Sequence, residues 1–205
     1  RTFSSAASDV YKRQVFFSLL ILISCSNNSV NKLSMSDFGK APNGEVVKKF
    51  KLTNSNGLSM EVINYGAIIT NLYVPDSSGS LKDVVLGFND FNNYYENNPY
   101  FGAIIGRYGN RISNGTFLLD GVRYELEQNN GPNSLHGGLV GFDKVFWKFV
   151  EEKSNNQSLY FEYFSKDMEE GVPGNLVVGV EYILNDSNEL KIKYTASTDK
   201  KTIIN

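Results

Sequence analysis

Strand-sized apolar runs separated by Asn, Asp and Gly turns restrict the fold of this chain more than any other feature. From about Glu45 onward these signals recur every eight to twelve residues. Val46–Leu52 and Leu58–Tyr65 flank Asn54-Ser55-Asn56-Gly57, and Phe117–Leu119 and Val122–Leu126 flank Asp120-Gly121. Asn, Asp and Gly reach positive φ at little cost, so each stretch predicts a hairpin. Phe149–Glu152 and Leu159–Phe164 flank Ser154-Asn155-Asn156, and Leu176–Leu184 and Leu190–Thr195 flank Asn185-Asp186-Ser187-Asn188. In the last run Leu190, Ile192 and Tyr194 share one face and Lys191, Lys193 and Thr195 the other, which predicts a strand with one wet side. No window of helix length carries a 3.6-residue stripe, and there is no internal repeat. The expected fold is all-β, an antiparallel sandwich or barrel.

Composition excludes several function classes. With 20 Lys+Arg against 22 Asp+Glu, the formal charge of −2 lacks the cationic excess that neutralises phosphates, so no nucleic-acid partner is expected. A single Cys permits neither an internal disulfide nor a cysteine zinc cage. No apolar run approaches the 18 or so residues of a membrane-spanning helix.

The N-terminal region reads differently from the body. Residues 1–14 (RTFSSAASDVYKRQ) show no periodicity and read as a non-native scar or a disordered leader. Residues 15–24 (VFFSLLILIS) match the length of a signal h-region, and Leu22-Ile23-Ser24-Cys25 resembles a bacterial lipobox. Cys25 is thus a candidate lipidation site, with more than one acyl chain needed for stable anchoring. Residues 25–43 then read as a polar tether and 44–205 as the folded domain. The expected location is that of an exported lipoprotein, periplasmic or membrane-anchored, whose membrane contact is the lipid anchor; if the signal reading fails, the protein is cytoplasmic.

Two Gly-rich segments break the strand pattern: NPYFGAIIGRYGNRISN (98–114) and NNGPNSLHGGLVGFDKVFW (129–147). Such composition suits loops that bring backbone close to a ligand. Arg107 and Arg111 stand four apart beside Asn110, and an Arg fork next to an amide suits sugar hydroxyls. A structural bond from either Arg to nearby carbonyls is the competing reading. His136, the only His, is a candidate proton mover. With no second His, neither a Ser-His-Asp set nor an imidazole metal site can be specified. Glu169-Glu170 reads as a solvated turn before Gly171.

NPYFGAIIGRYGNRISNGTF, GPNSLHGGLVGFDKVFW, EEGVPGNLVVGVEYIL and KYTASTDKKTIIN follow one another in the order of the aldose 1-epimerases, or galactose mutarotases. NYGAIITNLYVPD and KDVVLGF resemble that family's opening strands, and the 25-residue spacing from Arg111 to His136 also matches. The resemblance covers about Gly44 to Asn205. It implies an antiparallel β-sandwich of the galactose mutarotase-like supersandwich kind, here its N-terminal part, interconverting α and β hexose anomers without a cofactor or metal. It implies that Asn110 and Arg111 bind substrate hydroxyls and that His136 sits near the reacting end of the hexose in an auxiliary catalytic role. In the family the acid is a His in a TNHSYFN motif and the base a late Glu, with a sugar-binding Asp between them. Thr202–Asn205 resembles the lead-in to that motif, so a fragment without acid and base, and without activity, is the expectation. Gly109 stands where the family commonly has Ala, and Val172 where an aromatic is common. The alternative is a non-catalytic carbohydrate-binding lipoprotein on the same scaffold. A relative acting on hexose 6-phosphates would ask for more cations than Lys144 alone.

Overall fold

The computed structural model describes residues 32–96 and 99–205. The strands are β1 (Lys32–Lys40), β2 (Val46–Thr53), β3 (Ser59–Ile63), β4 (Ile69–Pro75), β5 (Leu81–Asp83), β6 (Arg111–Ile112), β7 (Thr116–Leu119), β8 (Val122–Glu125), β9 (Ser134–Leu135), β10 (Lys148–Phe149), β11 (Ser158–Ser165), β12 (Leu176–Leu184) and β13 (Leu190–Thr198); one short helix, α1 (Phe91–Glu96), lies between β5 and β6. A five-stranded meander, β1-β2-β3-β4-β5, faces a four-stranded meander, β10-β11-β12-β13, with small ribbons β6-β9 and β7-β8 beside them. The fold is the expected antiparallel sandwich.

The hairpins close where the turn chemistry placed them. Thr53 pairs with Ser59 across Asn54–Leu58, Leu119 with Val122 across Asp120-Gly121, and Leu184 with Leu190 across Asn185–Glu189. Alternation then sorts the side chains. Leu176, Val178, Val180, Tyr182 and Leu184 of β12 point inward with Leu159 and Phe161 of β11, meeting Phe50, Leu52, Met60 and Val62 from the first sheet. Phe50 stacks edge-on against Phe161 at 5.2 Å and lies 4.4 Å from Phe149. Burying each such side chain is worth roughly 1.5–3 kcal/mol, which is what holds the layers together. β3 is buried along its whole length, and at its Ile63 end α1 supplies the cover: Phe91 and Tyr94 pack there on Val47, Ile63 and Ile68. Glu61, the one charge in β3, is neutralised by Lys49 at 2.8 Å and Lys51 at 3.4 Å.

Four sequence expectations are corrected. The polar tether assigned to 25–43 is a strand over Lys32–Lys40, pairing with β2 from Lys32↔Thr53 to Lys40↔Val46. Its mostly exposed side chains give no apolar pattern, and it is held by ladder bonds and by Lys48 on Asp37 at 2.5 Å. The Phe149–Glu152 run is a strand only at Lys148–Phe149, because a 3₁₀ turn takes over at Glu151–Lys153. β13 alternates as expected, but beyond Leu190, which packs on the core, its apolar face stays wet: Ile192 is 41% exposed and Tyr194 62%. Glu169 and Glu170 do lie in a turn, but neither is merely solvated; their partners are given below. Residues 1–31, including the h-region and Cys25, lie outside the described residues.

Candidate functional site

The site is built where β6 meets β9. Arg111 pairs with Leu135 and Ile112 with Ser134, so the residue before β6 and the residue after β9, Asn110 and His136, come face to face. They are clasped in both directions. The His136 N–H donates to the Asn110 carbonyl at 3.0 Å, and the Asn110 N–H donates to His136 Nδ1 at 3.0 Å. Because Nδ1 accepts, the ring N–H sits on Nε2, which makes His136 a hydrogen-bond donor toward a ligand. Both residues take the left-handed conformation, at φ +62° and +54°. The Tyr100 ring meets the imidazole at 4.7 Å and an interplanar angle of 63°.

Arg111 lies exposed beside this clasp. Its Nε donates to Asn130 Oδ1 at 2.8 Å and its Nη1 to Asn110 Oδ1 at 3.3 Å. A guanidinium has five N–H donors, so most of the fork stays available to a ligand. Asn129, next in sequence to Asn130, fixes the loop that carries His136. Its Oδ1 accepts from the Leu135 N–H at 2.7 Å, while its Nδ2 donates to Leu135 O at 2.9 Å and Gly138 O at 2.6 Å. Glu170 holds the next turn of the loop by accepting from the Leu139 and Val140 N–H groups at 2.8 and 3.1 Å. Lys144 closes it by donating to Leu139 O at 3.0 Å. Below lies Asp143, whose carboxyl is pushed above the usual carboxylate range by burial, against the opposing pull of Lys144 and His136.

Arg107 points away from this cluster. It is 4% exposed and donates to Ser165 Oγ, Thr202 Oγ1 and the carbonyls of Ser165, Lys166, Pro173 and Gly174. Glu169 lies in the same buried network, accepting from Tyr163 Oη at 2.7 Å and from Ser165 Oγ. The structural reading therefore holds for Arg107, while Arg111 stays at the surface beside Asn110 and Asn130. Of the sequence candidates, Asn110, Arg111 and His136 converge, Arg107 does not, and Cys25 is not among the described residues. Sequence reasoning misses Asn129, Asn130 and Tyr100, and it reads Glu170 only as part of a solvated turn. The first three lie inside the two Gly-rich segments, but nothing local distinguishes them from other loop residues.

Among the described residues no group of His, Cys, Asp or Glu is placed to hold a metal ion, and no helix is long and apolar enough to cross a membrane. A two-sheet antiparallel scaffold thus brings one guanidinium, one imidazole N–H and the Asn110 carboxamide together on its loops. A model of the aldose 1-epimerase family matches residues 48–205, and the chain belongs to that family. Galactose mutarotase from Sus scrofa is 46% identical over 174 residues, 84% of this chain and 49% of that protein. Aldose 1-epimerase from Escherichia coli (strain K12) is 36% identical over 165 residues, 80% of this chain and 47% of that protein. The crystal structure of galactose 1-epimerase from Lactobacillus acidophilus NCFM matches with a TM-score of 0.73 at 26% identity, covering 84% of this chain and 50% of that one. The chain spans about half the length of the curated relatives it matches.

Proposed function

We propose that these residues form the hexose-positioning part of an aldose 1-epimerase that interconverts the α and β anomers of sugars such as galactose and glucose. The observation that carries the reading is the mutual clasp of Asn110 and His136, with Arg111 beside it, on the scaffold of a family whose relatives bear the names galactose mutarotase and aldose 1-epimerase. The reaction needs one group to take the proton of the C1 hydroxyl and another to protonate the ring oxygen. The ring then opens to the aldehyde, the C1–C2 bond rotates, and closure on the opposite face gives the other anomer. Substrate and product differ by no electron and no atom, so the chemistry calls for no cofactor. Arg111 and Asn110 hold hydroxyls, and His136 offers Nε2–H where charge develops on oxygen.

The family's acid and base belong to motifs not encoded in these 205 residues. In the family the acid-bearing motif follows the segment resembled by Thr202–Asn205. Here that segment is fastened beside the site, with the Asn205 N–H on Arg107 O at 2.9 Å and the Gly109 N–H on Asn205 O at 3.2 Å. This chain by itself is therefore expected to be inactive. Polarimetry on freshly dissolved α-galactose tests the reading in the full-length protein. Arg111→Ala and His136→Ala should each cost about ten- to a hundred-fold in kcat/KM, the worth of one charge-assisted hydrogen bond. Hexose binding without turnover would favour the binding module instead, and wild-type kinetics in both variants would remove the site.

We also propose lipid anchoring at Cys25, on the strength of the Leu22-Ile23-Ser24-Cys25 tetrad. Globomycin should accumulate the precursor in an expressing bacterial host. A Cys25 peptide of unmodified mass, from protein in the soluble fraction, would overturn it.

A further inference from the structure

Arg111 sits on the surface at the end of a long, rotatable stem, and a free Arg of this kind loses much rotamer freedom when it grips a ligand. One contact removes that freedom in advance. Asn130 Oδ1 accepts the Arg111 Nε–H at 2.8 Å, and Asn130 is itself held by a two-residue turn. Its N–H donates to Asn133 O and the Asn133 N–H returns to Asn130 O, each at 3.1 Å. Gly131 supplies the positive φ of +60° that the first central position of such a turn requires, and Pro132 fixes the second. The turn is moored in turn by Asn133 Oδ1, which accepts from the Asn114 N–H at 3.3 Å. The acceptor therefore stands still while the guanidinium is oriented by it.

We propose that Asn130 is a positioning residue that aims Arg111 at the hexose, an inference that rests on the epimerase reading. Asn130 takes the Nε donor, Asn110 takes one Nη1 donor, and the remaining face of the fork is turned to the ligand with its torsions already set. Loss of Asn130 leaves the chemistry of Arg111 intact and removes only its orientation. The effect should fall on sugar affinity.

In the full-length protein, Asn130→Ala should raise KM for galactose about 3- to 10-fold, the scale of immobilising one rotamer-rich side chain, with kcat within about 2-fold of wild type. Asn130→Asp keeps an oxygen acceptor for Nε and should recover most of the affinity. On an Arg111→Ala background Asn130→Ala should change nothing further, because the two residues act as one unit. The Arg111 Nε–H should give a resolved ¹⁵N-correlated signal in wild type and in Asn130→Asp, and lose it in Asn130→Ala. A KM penalty that persists without Arg111, or an unchanged Nε–H signal in Asn130→Ala, overturns the proposal. If the wild-type protein fails to accelerate mutarotation, the function assigned above fails. The Nε–H signal and equilibrium galactose binding then decide the role of Asn130 by the same criteria.

Discussion

Arg107→Met is the substitution with the largest consequence that the structure predicts. Met roughly conserves the volume of the aliphatic stem and removes every donor. Four main-chain carbonyls, those of Ser165, Lys166, Pro173 and Gly174, then lose the guanidinium that they share at 2.6–3.1 Å. Lys166 O keeps the Glu169 N–H at 3.0 Å, whereas each buried acceptor left without a donor costs about 1–3 kcal/mol. Glu169, in the same buried network, loses its positive neighbour. Water can re-satisfy the carbonyls nearest the surface, and the cost of burying the guanidinium is recovered. The net loss expected is therefore about 3–5 kcal/mol, the usual penalty for removing one partner of a buried charged cluster. Against a total stability of about 5–15 kcal/mol this is a large fraction. Arg107→Lys retains the charge but at most three donors, and should lose about half as much. Urea unfolding at neutral pH reads the difference, with Arg111→Ala as the internal control. Arg111 is exposed, so its loss should cost less than about 1 kcal/mol. An Arg107→Met variant within about 1 kcal/mol of wild type would refute the idea that this guanidinium fastens three segments together.

Two further outcomes follow from the same contacts. Tyr182 is fully buried and its hydroxyl donates to Ala67 O at 2.5 Å across the sandwich, so Tyr182→Phe should cost about 1–3 kcal/mol in urea melts; a loss under about 0.5 kcal/mol would mean the bond contributes nothing. The Asp167 carboxyl is held below its ordinary 3.8 by the Lys200 ammonium and the Gly174 N–H. A depressed value lends stability that is present above the unfolded pKa and lost as pH falls through the folded one. Asp167→Asn should therefore lower the urea midpoint at neutral pH, and the two proteins should converge as the pH falls through the depressed folded value, below the ordinary 3.8. A gap that stays constant through acid titration of the carboxyl would contradict the assignment.

What could be read from the chain depended on how local its physics is. The hairpins at Asn54–Gly57, Asp120-Gly121 and Asn185–Asn188 were legible because the turn residues themselves supply the positive φ, at Gly57, Asp120, Gly121 and Asn188. β1 was not, because an edge strand of mostly exposed residues is stabilised by its neighbour's ladder rather than by its own pattern. α1 escaped for a related reason. Six residues burying only Phe91 and Tyr94 are too short to set up a helical period. In β13 the alternation was read correctly, but burial is a property of what lies opposite: Ile192 stays exposed, and Tyr194 lines an open cavity with Ile104, Phe142 and Ile204. That Asn110, Arg111 and His136 stand together was legible through their motif. Their supports were not, since Asn129, Asn130 and Glu170 act through backbone groups and a guanidinium that only the folded loop brings near.

The two arginines show most clearly why spacing alone could not divide scaffold from site. In Gly106-Arg107-Tyr108-Gly109-Asn110-Arg111 one lies in the loop and the other opens β6, and neither has a local feature that marks its role. Arg107 finds its partners 58 to 95 positions away, on β11, the 173–174 turn and Thr202. Arg111 finds Asn130 and Asn110 close by, at the surface. The loop divides them because it is pressed between the sandwich and the loop that carries His136. A side chain at Gly106 would run into the Phe142 ring, and one at Gly137, at φ +93°, into the Gly106 carbonyl. The two loops thus touch backbone to backbone, which sends Arg107 inward to the carbonyls of the core and leaves Arg111 outside with His136. A buried clip that fixes this stretch of backbone is the arrangement under which orientation of the Arg111 fork, rather than its mere presence, becomes the variable proposed for Asn130.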